Sequence, residues 1–494
     1  MVMGKGMSSG VAVVRARRGA RRFDEARGCY VYDVSFSSRV CLGERVLGVA
    51  EVFGLGLDER RQVLFRDFEL RLGEGDVVYV TGDSGSGKSV LLHALKVDLG
   101  DRVVDIEGVG VEEGAVIIDA VGATLGEALS LLSRVGLNDA YLFLRRYGEL
   151  SEGQRYRFRI AKMLESGKRF WFADEFCSTL DRVTAKIVAY NVQKQARRSG
   201  ATLIVATGHT DLEADLGPSI MIRKGWGDEI SVEYRGDAGA RGCSVADRVR
   251  IGRGCMEDYR RLSRFHYRSG RVLFPIAFFR LEVDGELAGV VVYSYPGVYA
   301  GGRRVAVGYS PRMGELNADW AVVSRVVIHP KYRSMGLGAR LLRETLPLVG
   351  RRHVELVAAM AEYNPFAERA GMRLITRTGP DETIAGAVEG LRRLGFNPVL
   401  MASVGYNEAL LAAEPGLVGE VRGVLAGVGS HCFKRLRRGG RPHQRRGEFV
   451  GWLEGQGAGG LAKSLAVLAV LNQSKAYLYW CRDRVGGGRE LTLP

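Results

Sequence analysis

Two glycine-rich stretches carry the groups most able to do chemistry. The first is Gly82-Asp83-Ser84-Gly85-Ser86-Gly87-Lys88-Ser89. It follows the apolar run from Val77 to Val80 and precedes Val90-Leu91-Leu92-His93-Ala94-Leu95, so it reads as strand, turn, helix. Glycines let successive N–H groups converge on phosphate oxygens, and the positive end of the following helix adds to them. In the pattern G-x-x-x-x-G-K-[ST] the lysine reaches the β- and γ-phosphates and the hydroxyl reaches Mg2+. Those places fall to Lys88 and Ser89. The second stretch is Arg333-Ser334-Met335-Gly336-Leu337-Gly338-Ala339, after a strand over Trp320 to His329 and before a helix over Arg340 to Leu346. It offers the same anion-binding physics. No Lys-Ser/Thr pair follows its glycines, which disfavours a second nucleoside triphosphate.

The chain of 494 residues has length for about three domains. No apolar run is long enough to span a bilayer, and the basic start lacks the apolar stretch of a signal peptide. Cys29, Cys41, Cys177, Cys243, Cys255, Cys432 and Cys481 are scattered without a C-x-x-C pair. That argues against a disulfide framework or a zinc site and fits a reducing, cytoplasmic interior. The net charge is +15, with arginines clustered at Arg15, Arg17, Arg18, Arg21 and Arg22 and again from Lys434 to Arg446. Such an excess suggests a polyanion, nucleic acid or ribosome, against the plainer reading of solvated arginines in a basic proteome.

Four further pieces follow the first glycine loop. Leu150-Ser151-Glu152-Gly153-Gln154 opens a helix over Arg155 to Leu164; Phe170 to Ala173 is an apolar strand ending at Asp174-Glu175; Ser178-Thr179-Leu180-Asp181 comes next; and a buried strand from Thr202 ends at His209. This set, in this order, resembles the ATP-binding cassette (ABC) family of ATPases over roughly residues 45–235. The resemblance implies ATP on Gly82 to Ser89, Mg2+ on Ser89 and Asp174, Glu175 acting on the attacking water and His209 on the γ-phosphate. It also implies that Ser151, Gly153 and Gln154 complete the ATP site of a second copy, hence a homodimer. The stretch between Lys88 and Ser151 is shorter than in transporter cassettes. The family's Q-loop glutamine is not evident, Asp119 lying near its place. With no membrane segment, a transporter is disfavoured. Phe53 is a weak candidate for stacking on adenine.

After a linker at residues 236–249 the alternation restarts, with a hairpin signal at Asp284-Gly285-Glu286. The second glycine loop and Asn364-Pro365-Phe366-Ala367-Glu368-Arg369-Ala370-Gly371-Met372 together resemble the GNAT family of acyltransferases over residues 250–378. That resemblance implies acetyl-CoA, its pyrophosphate on Arg333 to Ala339, its thioester carbonyl on backbone N–H groups of Val326, Val327 and Ile328, and a contact at Asn364. Many members have Tyr where this chain has Ala367; Tyr363 is the substitute acid. Glu315, Asp319 and His266 are candidate bases. His266-Tyr267-Arg268-Ser269-Gly270 faintly resembles a segment of acyltransferases that modify DNA bases, with an ordinary turn the favoured alternative.

Residues 379–494 read as helices over Glu382 to Leu394, Asn407 to Ala413, Leu417 to Val428 and Leu461 to Leu471, around the basic run. Tyr477, Tyr479 and Trp480 beyond it read equally as base-stacking groups or as core. The expected architecture is α/β: a basic lead-in at 1–44, a P-loop ATPase domain at 45–235, an acyltransferase domain at 250–378 and a helical, basic C-terminal region. The combination resembles a largely archaeal group of ABC-type ATPases fused to an acetyltransferase. It implies an ATP-gated N-acyltransferase acting on nucleic acid, RNA before DNA. A protein or small-amine acetyltransferase regulated by the cassette is one alternative, and a non-catalytic ATP-switch assembly factor is another.

Overall fold

The apolar run from Val77 to Val80 is buried along its whole length, as a parallel strand covered on both faces must be. In the computed structural model, residues 15–38, 43–55, 60–236, 242–266, 272–298, 300–359, 361, 364–414, 416–429, 436 and 445–484 are described. The chain forms two compact units. The first comprises Met1–Gly270, Phe279–Val290 and Val327–Gly338, and the second Arg271–Phe278, Val291–Val326 and Ala339–Pro494.

The first unit opens with a three-stranded antiparallel sheet, β1 (Arg15–Asp24), β2 (Cys29–Ser38) and β3 (Arg60–Leu70), with α1 (Glu44–Phe53) between the last two. A six-stranded sheet follows: β4 (Val77–Gly82), β5 (Val103–Asp105), β6 (Phe170–Ala173), β7 (Thr202–Ala206), β8 (Ile220–Lys224) and β9 (Ile230–Tyr234). Its spatial order is β5-β6-β7-β4-β8-β9, parallel except for the β8–β9 hairpin. The connections carry α2 (Lys88–Leu99), α3 (Leu125–Arg134), α4 (Glu152–Glu165), α5 (Arg182–Ser199) and α6 (Glu213–Leu216).

Alternation along β4 divides the core. Val77 and Tyr79 join Trp171, Val205, Phe158 and Ile160 on one face, while Val78 and Val80 join Phe172, Ile204, Leu91, Leu95, Phe65 and Phe68 on the other. Each such side chain stabilises by about 1.5–3 kcal/mol when fully buried. Further on, β10 (Val249–Arg253) lies antiparallel to Phe279–Val283 of β11 (Pro275–Val283), α7 (Met256–Ser263) connects them, and β12 (Glu286–Ser294) follows.

The second unit holds α8 (Arg303–Val307), α9 (Met313–Asp319), β14 (His353–Ala358), α11 (Phe366–Arg369) and β15 (Arg373–Thr378); β13 (Trp320–Ile328) and α10 (Leu337–Thr345) take their bounds from the chain. Helices α12 (Glu382–Arg393), α13 (Val404–Ala413), α14 (Leu417–Ala426), α15 (Arg446–Glu454) and α16 (Ala458–Leu471) share a core of their own, built on Leu391, Leu411, Val421, Leu425, Phe449, Leu461 and Leu465. The chain then returns as β16 (Lys475–Cys481). β16 is antiparallel to β14 on one side and to β15 on the other.

Three boundaries therefore differ from the sequence reading. Alternation over residues 29–80 predicts antiparallel strands feeding the P-loop strand, which β2 and β3 are, and β1 extends their ladder back into the basic lead-in; Met1 to Gly10, expected to be disordered, lie outside the described residues. The linker is anchored. Its Ser244 donates N–H to Asp215 Oδ1 (2.7 Å) and Oγ–H to Oδ2 (2.8 Å), and Val245 is buried; residues 237–241 lie outside the described residues. The helices after residue 378 do not end the chain's second half, since β16 follows them into the sheet. Tyr477, Tyr479 and Trp480 are buried there, so they pack rather than offer rings to bases.

Candidate functional site

β4 delivers the backbone to Gly82 at φ 144°, and Gly85 and Gly87 also have positive φ. A Cβ on Gly82 would lie 2.0 Å from the Lys224 carbonyl oxygen, so only glycine passes there. Lys88 opens α2 and is buried; its Nζ donates to the carbonyls of Gly82 and Asp83, both at 2.8 Å. The ammonium is thereby held at the mouth of the loop. Ser86 Oγ is buried without a partner among the described residues. The first-turn N–H groups of α2 have no helical carbonyl to meet. A loop of positive-φ glycines, a seated ammonium and an orphaned hydroxyl fit a polyphosphate.

The strand ends beside β4 supply the other groups. Asp174 follows β6 half-buried, and Glu175 is exposed at φ 44°, its N–H donating to Asp174 Oδ1 at 2.9 Å. Among the described residues no three His, Cys, Asp or Glu side chains gather as a metal cage. Ser89 and Asp174 would hold Mg2+ with phosphate oxygens and water completing its shell, the usual arrangement for that ion. His209 is exposed after β7; its N–H donates to Thr207 Oγ1 (3.2 Å) and its carbonyl accepts from the buried Tyr79 hydroxyl. Tyr79 was not anticipated as a site residue. Burial and the nearby Asp211 carboxylate raise its hydroxyl pKa, so it stays a donor. Beside it, Asp211 pairs with Arg182; burial opposes its charge, but the Arg182 hydrogen bonds hold its carboxyl below the ordinary value.

Ser151 caps α4, where its N–H donates to Gln154 Oε1 at 3.0 Å, so Gln154 serves the helix start. The buried Tyr156 hydroxyl on the same helix accepts from Cys177 N–H at 2.9 Å, which ties α4 to the turn after Glu175. Phe53 is exposed on α1, and Asp119 sits exposed in a turn.

In the second half, β13 pairs in parallel with β14 at Trp320, Ala321 and Val322 only, although both strands run on. The ladder between the two strands stops after Val322, so Val326 to Ile328, the expected thioester-binding residues, lie beyond it. Beyond β13, His329 N–H donates to Ala288 O (2.9 Å), and the Tyr332 hydroxyl donates to Glu286 Oε2 (2.7 Å). These pin the loop that leads to α10. Gly336 is exposed at φ 78°, Ser334 stands at φ 72°, Met335 is half-buried, and Leu337 and Ala339 are buried beside Gly338 in the helix start. Arg333 does not offer its guanidinium outward: Nε donates to Ile328 O (2.8 Å), Nη1 to Asn138 O (2.8 Å) and Nη2 to Phe265 O (3.1 Å). Burial pushes that guanidinium below its ordinary pKa. Its guanidinium thus holds the loop backbone through these carbonyls.

Asn364 is exposed ahead of α11, and Ala367 is buried in it. Tyr363 lies outside the described residues, as do Tyr267 to Gly270. Glu315 accepts from the Tyr309 hydroxyl, Asp319 is exposed, and His266 is half-buried.

Residues 252–371 match the model of the acetyltransferase (GNAT) family. The taurine import ATP-binding protein TauB of Pseudomonas aeruginosa is 30% identical over 206 residues, covering 36% of this chain and 78% of that protein. The cytochrome c biogenesis ATP-binding export protein CcmA of a Ruegeria species is 30% identical over 190 residues, covering 34% of this chain and 91% of that protein. A solved ATP-binding cassette, dimeric and bound to ADP and Pi after hydrolysis, aligns at 19% identity over 36% of this chain and 94% of its own, with a TM-score of 0.30. Among the described residues no helix is long and apolar enough to cross a membrane.

Proposed function

Because the chain belongs to the ATP-binding cassette family of ATPases and joins that cassette to a GNAT acetyltransferase domain, we propose that it spends ATP to gate acyl transfer from acetyl-CoA to an amine of a nucleic acid, RNA before DNA. The observation that carries the acyl-transfer half is the parting of β13 from β14 after Val322, directly ahead of the glycine loop. An open strand edge there leaves N–H groups free to hold a thioester carbonyl and its developing negative charge. The amine forms a bond to that carbonyl carbon and gives up a proton to a base, for which Glu315, Asp319 and His266 are our candidates; the carbon–sulfur bond breaks, and the departing thiolate takes a proton, for which Tyr363 is our candidate donor.

On the ATPase side, Gly82 to Ser89 hold the phosphates, Ser89 and Asp174 the metal, and Glu175 and His209 address the γ-phosphate end. The chain has one glycine-lysine loop and one L-S-x-G-Q segment. Two copies facing each other would give each ATP the Ser151, Gly153 and Gln154 of its neighbour, a helix N-terminus aimed at the γ-phosphate. The acceptor reading rests on the net charge of +15 and on the two arginine clusters.

The test is acetyl transfer from labelled acetyl-CoA with ATP present, offered in turn to RNA, DNA, a peptide pool and polyamines. Label in RNA is the expected result. Label confined to peptides or polyamines would move the acceptor to another class, and no CoA release with any acceptor would leave an ATP switch.

A further inference from the structure

The glycine loop before α10 is bonded to the ATPase part of the same compact unit. Besides the Arg333 bond to the Asn138 carbonyl, Nη1 lies 3.5 Å from Asn138 Oδ1. Ser334 Oγ–H donates to the Ser133 carbonyl, and its oxygen accepts from Asn138 Nδ2 at 3.2 Å. Ser334 holds φ 72°, a conformation that costs a non-glycine residue about 1–2 kcal/mol unless neighbours enforce it. The neighbours that do so belong to residues 133–138, where α3 ends.

That same segment is gripped from its other side. Arg157, on the helix opened by Ser151, donates Nε–H to Gly153 O (3.2 Å) and Nη1–H to Gly136 O (3.1 Å). Gly136 has φ 80°, and a Cβ there would lie 3.1 Å from Arg157 Nη1 and 4.0 Å from Ser334 Oγ. A short path therefore runs from Gly153 by hydrogen bonds through Arg157 to Gly136, along the backbone to Asn138, and by hydrogen bonds again to Ser334 and Arg333. One end is a residue that meets ATP in a closed pair of cassettes; the other shapes the acyl-CoA loop.

We infer that Asn138 and Arg157 are positioning residues through which nucleotide engagement at the α4 N-terminus sets the conformation, and hence the acyl-CoA affinity, of the Arg333–Gly338 loop. This rests on the acyl-CoA reading of that loop. Any shift of α4 on closing over ATP moves the carbonyls to which Arg333 and Ser334 are tied. By linkage, acetyl-CoA must then alter ATP affinity by the same factor.

The experiment is calorimetric titration of the full chain with acetyl-CoA, with and without Mg2+ and a non-hydrolysable ATP analogue. We expect the acetyl-CoA Kd to differ by about fivefold or more between the two states, the lower end of ordinary coupling. Arg157→Met and the double variant Asn138→Ala/Ser334→Ala should bring that ratio to about one. Arg157→Lys, which keeps a cation able to donate to the Gly136 carbonyl, should preserve it, and so guards against a fold-wide effect of the other variants. A Kd independent of nucleotide in the unaltered chain overturns the relay while leaving the acyl-CoA reading intact. So does coupling that survives Arg157→Met. Absence of acetyl-CoA binding in both states overturns the acyl-CoA reading and the relay with it.

Discussion

Glu175 occupies the left-handed region at φ 44°, where a side chain with a Cβ is held only by its surroundings. The N–H bond to Asp174 and the buried Phe176 that follows, whose N–H donates to Ala206 O, do the holding. Its carboxylate is thus presented, not folded away. Glu175→Gln should lower ATP turnover by about 10²–10⁴-fold, the usual worth of a positioned general base, with nucleotide binding retained. Lys88→Ala should instead abolish binding, and equilibrium dialysis beside a phosphate-release assay separates the two. Tyr79→Phe leaves the His209 carbonyl without its donor. We expect a loss of about 1 kcal/mol in urea denaturation, with a fall in kcat rather than a rise in KM. The glycine loop, Asp174, Glu175 and His209 were legible because their spacing along the chain is the signal. Tyr79 was not, since it sits inside an apolar run; a buried tyrosine hydroxyl needing a partner was the available clue. Arg333 was legible as a loop residue but not in its carbonyl partners, which come from residues 138 and 265.

At the scale of elements, the second unit is organised by a polar cluster beneath β14. Arg303, on α8, pairs with Glu355 at 2.6 and 3.1 Å, the two side chains being 5% and 2% exposed. The Tyr477 hydroxyl on β16 donates to the same carboxylate at 2.7 Å, and Arg303 also donates to the carbonyls of Gly297 and Val298. Arg303→Met strands a buried carboxylate, and thermal or urea unfolding should register about 3–5 kcal/mol. Alongside, His353 stacks on Trp320 at 4.6 Å and its Nδ1 meets the Tyr479 hydroxyl at 2.6 Å. Burial, helped by Arg352, lowers the His353 pKa from its ordinary 6.5. The unfolded chain therefore takes up a proton first, so the stability His353 contributes is present above pH 6.5 and lost as pH falls from there through its folded value. Urea midpoints measured between pH 8 and 5 should drop below about pH 6.5, and His353→Asn should flatten that drop. In this half the β11–β12 hairpin, β13, α10 and the helices α12, α13, α14 and α16 were legible from alternation and turn signals, whereas β15 and α15 were not. The place of β16 was not, because nothing local marks which strand a segment joins after so many intervening helices.

For the whole molecule, charge is the property that reaches beyond single sites. With +15 overall, binding to single-stranded RNA should weaken steeply with salt. About four phosphate contacts would give a log–log slope near −3 in a filter-binding or anisotropy series. A flat response would remove the nucleic acid from the proposal and favour a small-amine acceptor. The order of β14, β16 and β15 bears on how the chain is made. β15 is complete at Thr378, yet its ladder partner begins at Lys475. A nascent chain emerging from the ribosome thus carries β14 and β15 without the strand that separates them, through the synthesis of α12 to α16. At about 5–20 residues per second that interval lasts several seconds, ample time for two open edges to pair wrongly. The helices between, with their own core, fill it: they can fold as they appear and carry Lys475 back to the gap. Stop codons placed after Leu471 should then yield a soluble first unit joined to an aggregation-prone second one.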